Sequence, residues 1–307
     1  MSDIQLQASR LHAQYGQKTV LHQVDMDLRA GQIVGLIGPN GAGKSSLIRV
    51  LAGLHPVTSG TVTVQGADVQ KSPEKARHLI GMVPQDVALF DELSAEETLL
   101  LVGRLRNLEG RVLQQEVRRW LTLAELQDVG QSMAKYYSGG MRRKLALGAA
   151  LIGAPPVLLL DESFAGLDPE GTHAMEQELL RHAKAGAAIL LCSHRLELLE
   201  RIADRVILLQ DGRVSHTMTR SGIERLQEDK GASLLDWYLD TVRAHESDPS
   251  DDANADDETL LLDQDLDPDA QDADDTRIAP DEDTHTPEPS AAHNTPSLPP
   301  EDTPTNT

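Results

Sequence analysis

The chain has 307 residues, with 49 Asp and Glu against 28 Lys and Arg, a net charge of −21. Twenty of those acids and one base, Arg277, lie from His245 onward, so residues 1–244 carry 29 acids against 27 bases. This near-neutral body argues against a halophile-like acidic surface and makes the low overall charge silent about partners, and the single cysteine, Cys192, excludes an internal disulfide framework and fits a reducing compartment.

The amino-terminal "MSDIQLQASRLH" has polar residues where a secretory leader carries its apolar stretch. No run approaches the roughly 18 apolar residues of a spanning helix. The chain therefore reads as a soluble, cytosolic one. Residues 4–36 read as strands: "VDMDL" at 24–28 alternates apolar and polar, and "QIVGLIG" at 32–38 is an apolar run ending in glycine.

"GPNGAGKSS" follows at once, from Gly38 to Ser46, with the spacing G-x-x-x-x-G-K-[ST] set by Gly38, Gly43, Lys44 and Ser45. Glycines let successive backbone N–H groups turn inward around a phosphate. The next helix, "KSSLIRVLAGL", presents its positive end to the same anion. Lys44 reads as neutralising the outer phosphates, and the Ser45 hydroxyl can ligate Mg²⁺.

"SGTVTVQG" (59–66) and "IGMVPQ" (80–85) read as further strands. Leucines recur at helical spacing through 94–134, which predicts a helical insert. "VLLLDE" and "AAILLCSH" are apolar runs of buried parallel-strand length. The first ends in Asp161 and Glu162, at the strand edge where open α/β sheets bind ligands. Asp161 is read as a Mg²⁺ ligand and Glu162 as the group that polarises an attacking water. "RVILLQDGRVS" (205–215) predicts a hairpin turning at Asp211-Gly212. Residues 222–243 predict one or two closing helices.

The acidic stretch 245–307 has no aromatic residue and cannot bury enough apolar surface to offset its ordering entropy. It reads as disordered, with "TLLLDQDL" (259–266) a stray apolar cluster. His12, His22, His55, His78, His173 and His182 lack partners at metal spacing and read as structural or surface residues. "RRK" at 142–144 reads as a solvated or interface face.

Seven motifs in this order resemble the nucleotide-binding subunit of ABC transporters, over residues 4 to about 215. They are Tyr15 in "YGQKTVL", the loop 38–46, Gln85 in "VPQD", "YSGGM" at 137–141, Asp161-Glu162, "AGLDP" at 165–169 and His194 in "LCSH". The implied fold is α/β. It has a P-loop NTPase core, an antiparallel β subdomain and a helical insert at about 87–150, all within a domain of residues 1–220. Closing helices at 221–244 and the acidic tail follow.

The resemblance implies ATP and Mg²⁺ as cofactors and assigns roles by position. Tyr15 stacks on adenine, and Gly38, Asn40, Gly41, Ala42, Gly43, Lys44, Ser45 and Ser46 cradle the phosphates. Ser45, Gln85 and Asp161 hold the metal. Glu162, His194, Gln85 and Lys44 carry the hydrolysis. Ser138, Gly139, Gly140 and Asp168 serve a nucleotide held by a second subunit turned head to tail, a homodimer in the simplest case.

Met141 and Tyr137 replace the family's usual Gln and Leu, and "YSGGMRR" is similar to the branch exporting drugs, lipids, polysaccharides and peptides through six-helix permeases. That similarity implies a subunit peripheral on the inner face of the cell membrane, with no nucleic-acid partner. Ser163 and Phe164 stand where the family usually has Pro-Thr. The alternative is an ABC-type ATPase acting on nucleic acid or ribosomes. Such relatives carry long coiled coils or two nucleotide domains, and this chain has neither.

Overall fold

The computed structural model describes residues 3–247, so the stretch read above as a disordered tail lies, from residue 248 onward, outside the described residues. In chain order the first elements are β1 (Ile4–Tyr15), β2 (Lys18–Arg29), β3 (Ile33–Ile37), α1 (Lys44–Leu51), β4 (Ser59–Val64), β5 (Ala67–Asp68), α2 (Pro73–His78) and β6 (Ile80–Val83). Then come α3 (Ala95–Leu105), α4 (Gly110–Leu123), α5 (Gly139–Leu151), β7 (Val157–Asp161), α6 (Pro169–Lys184), β8 (Ala188–Cys192) and α7 (Leu196–Ile202). The last are β9 (Arg205–Gln210), β10 (Arg213–Thr219), α8 (Arg220–Lys230) and α9 (Leu234–Ser247).

Two sheets form. An antiparallel sheet runs β2-β1-β4-β5, and a six-stranded sheet runs β10-β9-β3-β8-β7-β6. Strands β9, β3, β8, β7 and β6 are parallel, and β10 adds antiparallel to the edge through the Asp211-Gly212 turn. Every residue of β3, β7 and β8 is buried. Successive side chains point to opposite faces, so continuous apolar runs fill two cores. Ile33, Leu158, Leu160 and Leu191 pack toward the helical insert, and Val34, Leu36, Leu159 and Leu190 toward α1 and the antiparallel sheet. This two-sided burial is why these strands lack the polar alternation of β1 and β2.

The stretch 87–150 holds α3, α4 and most of α5. Ser94 caps α3 by a reciprocal bond pair with Glu97. On α4 the apolar positions Leu113, Val117, Trp120 and Leu121 fall on one stripe, and Trp120 is fully buried. Asp168 caps α6, with Pro169 pre-set at the first helical position. Ile223 of α8 and Leu234 of α9 are buried in the same core as the insert. Three helices, α2, α6 and α7, were not read individually from the sequence.

The arrangement places four strand exits along one edge of the parallel sheet. β3 leads to Gly38, β6 to Gln85, β7 ends at Asp161 and β8 leads to His194. Residues distant in sequence meet there.

Candidate functional site: a phosphate cleft at the sheet edge

Backbone geometry builds the loop between β3 and α1. Gly38 has φ +154°, and a Cβ there would lie 2.1 Å from the Leu209 carbonyl oxygen. Gly43 caps α1 at φ +98°, with a Cβ position 2.8 Å from the Val20 carbonyl. No other residue fits at either position, and the loop is thereby pressed between β9 and β2. The Lys44 ammonium donates to the carbonyls of Gly38 at 2.7 Å and Pro39 at 2.8 Å, so its charge sits inside the loop. The first N–H groups of α1 have no partner within the helix and face the same space.

The loop opens onto a cleft of about 430 Å³. Asn40, Gly41, Gly43, Lys44, Ser45 and Ser46 line it, together with Gln85, Asp161, Glu162 and His194. Ser45 Oγ donates to Gln85 Oε1 at 3.4 Å, across 40 residues of sequence. Asp161 is 3% exposed, and its Oδ1 is buried without a hydrogen-bond partner among the described residues. A hydroxyl, an amide oxygen and an orphaned carboxylate oxygen are the hard donors that Mg²⁺ takes, so these three residues fit the metal.

Glu162 has φ +49°, a left-handed backbone that costs a non-glycine residue about 1–2 kcal/mol. Its N–H donates to the Cys192 carbonyl at 3.0 Å. Its Oε1 lies 3.5 Å from His194 Nε2 and accepts from the Cys192 thiol at 3.8 Å. Burial raises the Glu162 carboxyl above the ordinary range, the adjacent Asp161 adds to this, and His194 and Lys44 oppose it. A half-desolvated carboxylate beside an imidazole is suited to hold and polarise a water. Burial also pushes the Cys192 thiol far up, so it stays an S–H donor. Ser163, beside Glu162, is fully buried with a hydroxyl that has no hydrogen-bond partner among the described residues, and Phe164 is buried in the core.

The structure does not bring every sequence-derived candidate into the cleft. Gly38 and Ala42 of the loop do not line it, nor do Tyr15, Ser138, Gly139, Gly140 and Asp168. Tyr15, at the end of β1, stacks on His55 with ring centroids 3.9 Å apart and remains 38% exposed. Ser138 caps α5 by accepting from the Met141 N–H at 3.2 Å. Asp168 accepts from the Gly171 N–H, which holds its carboxyl below the usual range, and lies 3.5 Å from Lys144.

Several lining residues were not read as site residues: Lys18, Thr19 and Val20 from the start of β2, His22, and the Asp211-Gly212 turn. The turn was legible, but not its destination. Gly212 N–H bonds to the Ala42 carbonyl at 3.0 Å, which seats the hairpin against the phosphate loop.

The "RRK" run, expected on a solvated or interface face, packs against other segments of its own chain. Arg142 pairs with Asp91 at 2.7 Å, Arg143 donates to the carbonyls of Gln85 and Glu162, and the buried Lys144 pairs with Glu125 at 2.6 Å. α5 is packed on most sides, so three successive long side chains each reach a different neighbour.

A parallel sheet with a glycine-rich loop, a capped helix end and acids at the strand exits defines a P-loop nucleoside triphosphatase. The ABC transporter family profile matches residues 21–165. Over 239 residues the chain is 35% identical to the daunorubicin resistance ATP-binding protein DrrA3 of Streptomyces coeruleorubidus, covering 78% of this chain and 75% of that protein. It is 33% identical over 218 residues to the linearmycin resistance ATP-binding protein LnrL of Bacillus subtilis, covering 71% and 70%. It is 38% identical over 212 residues to the Nod factor export ATP-binding protein I of Sinorhizobium fredii, covering 69% of this chain and 62% of that protein. A solved ATP-binding subunit of an ABC transporter superposes with TM-score 0.73 at 32% identity, over 77% of this chain and 99% of that one. A dimeric ATP-binding cassette in a post-hydrolysis state, bound to ADP and Pi, shares the fold with TM-score 0.64 at 23% identity, over 70% and 98%. The chain belongs to the ABC transporter ATP-binding family, and it is an ATPase.

Proposed function

We propose that this chain powers an ABC-type membrane exporter by ATP-driven closure of a dimer, a homodimer in the simplest case. The observation that carries the reading is the division of its motif residues. The loop, Gln85, Asp161, Glu162 and His194 share one cleft, whereas the α5 N-terminus with Ser138, Gly139 and Gly140 lies outside it. A helix N-terminus with a serine cap and two glycines suits an anion, and a second copy turned head to tail supplies one. The dimeric cassette of the same fold is consistent with that arrangement.

In this reading the loop N–H groups and Lys44 hold the outer phosphates, and the free face of Tyr15 takes the adenine. Ser45, Gln85 and Asp161 hold Mg²⁺, whose charge offsets that of the phosphate oxygens. Glu162 orients the attacking water, and His194, beside its Oε1, contacts the terminal phosphate. Water positioning of this kind contributes about 10²–10⁴-fold to rate.

Export is supported by the relatives, which are named for Nod factor export and for drug resistance. No helix among the described residues is long and apolar enough to cross a membrane; in this reading separate permease chains carry the membrane path. Phe90, Met133 and Tyr136 are 64%, 40% and 74% exposed on segments joined by the Lys135 N–H to Asp91 carbonyl bond. Exposed apolar side chains on joined segments suit an interaction site, and in this reading the partner is a permease segment at the inner face of the cell membrane.

The test is Glu162→Gln. It is expected to retain ATP, to accumulate an ATP-dependent dimer, and to lose turnover. Wild-type phosphate release by this variant would overturn the assigned chemistry.

A further inference from the structure

Arg143 stands in the second turn of α5, the helix whose first residues are Ser138-Gly139-Gly140. Its Nη1 donates to the main-chain carbonyl of Gln85 at 3.0 Å and to that of Glu162 at 3.2 Å. Those carbonyls lie 58 residues before it and 19 after it. One guanidinium nitrogen thus joins the exits of β6 and β7 to α5.

The two carbonyls belong to the residues assigned above to the metal and to the attacking water. Gln85 Oε1 accepts from Ser45, and Glu162 Oε1 lies beside His194. Glu162 also holds a left-handed backbone that an isolated glutamate disfavours. Such a residue persists only where its neighbours fix it. Its N–H donates to the Cys192 carbonyl, and its C=O accepts from both the Ala165 N–H at 3.1 Å and Arg143 at 3.2 Å.

We infer that Arg143 is a positioning residue that ties the signature helix to the metal-side and water-side residues of its own chain. The inference rests on the reading of Glu162 and Gln85 given above. It explains how one α5 serves two sites. Its N-terminus meets the partner subunit's nucleotide, and one turn further in, its arginine sets the peptide units that aim Gln85 and Glu162 at the nucleotide held by this chain. A shift of α5 therefore reaches the Gln85 peptide through one hydrogen bond and the Glu162 peptide through the other.

The test compares Arg143→Ala, Arg143→Lys and Arg143→Met in the full chain, with Mg-ATP as the probe. Arg143→Ala is expected to lower kcat by about tenfold or more, since small misplacements of a reacting group are costly. ATP affinity is expected to stay within about twofold, because uniform binding does not depend on the peptide in question. In the Glu162→Gln background, Arg143→Ala should still give the ATP-dependent dimer. Arg143→Lys is expected to recover most of kcat, because one ammonium can donate to both carbonyls.

Wild-type kcat in Arg143→Ala overturns the inference. So does a loss of kcat matched by equal losses of ATP affinity and thermal stability, which marks a role in folding alone. If the alanine variant does not fold, Arg143→Met, which keeps an unbranched side chain but has no donor, is judged by the same criteria. An active Glu162→Gln refutes the assigned chemistry itself. An inactive Glu162→Gln beside a fully active Arg143→Ala removes the positioning role alone.

Discussion

Replacing Gly38 by alanine tests whether the phosphate loop is held by the sheet behind it. The added Cβ would lie 2.1 Å from the Leu209 carbonyl oxygen, closer than non-bonded atoms approach. The loop and β9 must separate by about 1 Å to restore van der Waals contact. Overpacking of this kind costs about 1–3 kcal/mol, and an alanine at φ +154° adds about 1–3 kcal/mol of backbone strain. A combined loss of about 2–6 kcal/mol corresponds to a fall in Tm on the order of 10 °C for a domain of this size.

The same displacement moves the Gly38 carbonyl that holds Lys44 at 2.7 Å. A 1 Å shift of a positioning group costs roughly 10²-fold in rate. Gly41→Ala is the control. Gly41 also has a positive φ, +83°, but nothing lies within 4 Å of its Cβ position. It should lose only the backbone term, about 1–2 kcal/mol. Differential scanning calorimetry and ATP titration of both variants decide the matter. If Gly38→Ala is no less stable than Gly41→Ala, the steric argument is wrong.

Two further predictions concern pH. Because burial raises the Glu162 carboxyl, the native state holds that proton more tightly than the unfolded chain. The associated stability is fully present below the unfolded value near 4.5 and is lost as pH rises through the folded one. Without nucleotide or Mg²⁺, Glu162→Gln should therefore melt higher than wild type at pH 7, with the gap closing toward pH 4.5; a lower Tm at pH 7 contradicts this.

His182 is the opposite case. It is 3% exposed, stacks near Trp120, and burial pulls its pKa from 6.5 down to about 4, with Arg181 assisting. Stability from keeping it neutral is present above 6.5 and lost as pH falls toward 4, by about 3 kcal/mol at ~1.4 kcal/mol per pH unit. Urea denaturation between those pH values should show that slope, and His182→Met should flatten it. An unchanged slope in the variant would place the titration elsewhere.

Much of the site was legible because its signals are local. A glycine-rich loop needs its glycines and lysine within nine residues, and a buried strand followed by two acids is a continuous run. The Asp211-Gly212 hairpin follows from turn chemistry alone. Other features escaped because their cause lies elsewhere in the chain. Arg143 gave only a basic run, and its partners are the carbonyls of Gln85 and Glu162. Tyr15 was legible as an aromatic before the loop, but not its stacking on His55, 40 residues away. His182 carried no signal of burial, since its neighbours Trp120 and Arg119 come from α4.

The sequence by itself therefore determined which groups could handle a phosphate and where each strand would surrender its polar end, because spacing along one chain sets backbone direction over a few residues. Only the tertiary structure decided which of those groups meet. Order in the sheet, not order in the chain, brings the exits of β3, β6, β7 and β8 to one edge, and it leaves the α5 N-terminus outside their cleft. Pairing across a parallel sheet depends on long crossovers and two-sided burial, which are properties of the packed whole.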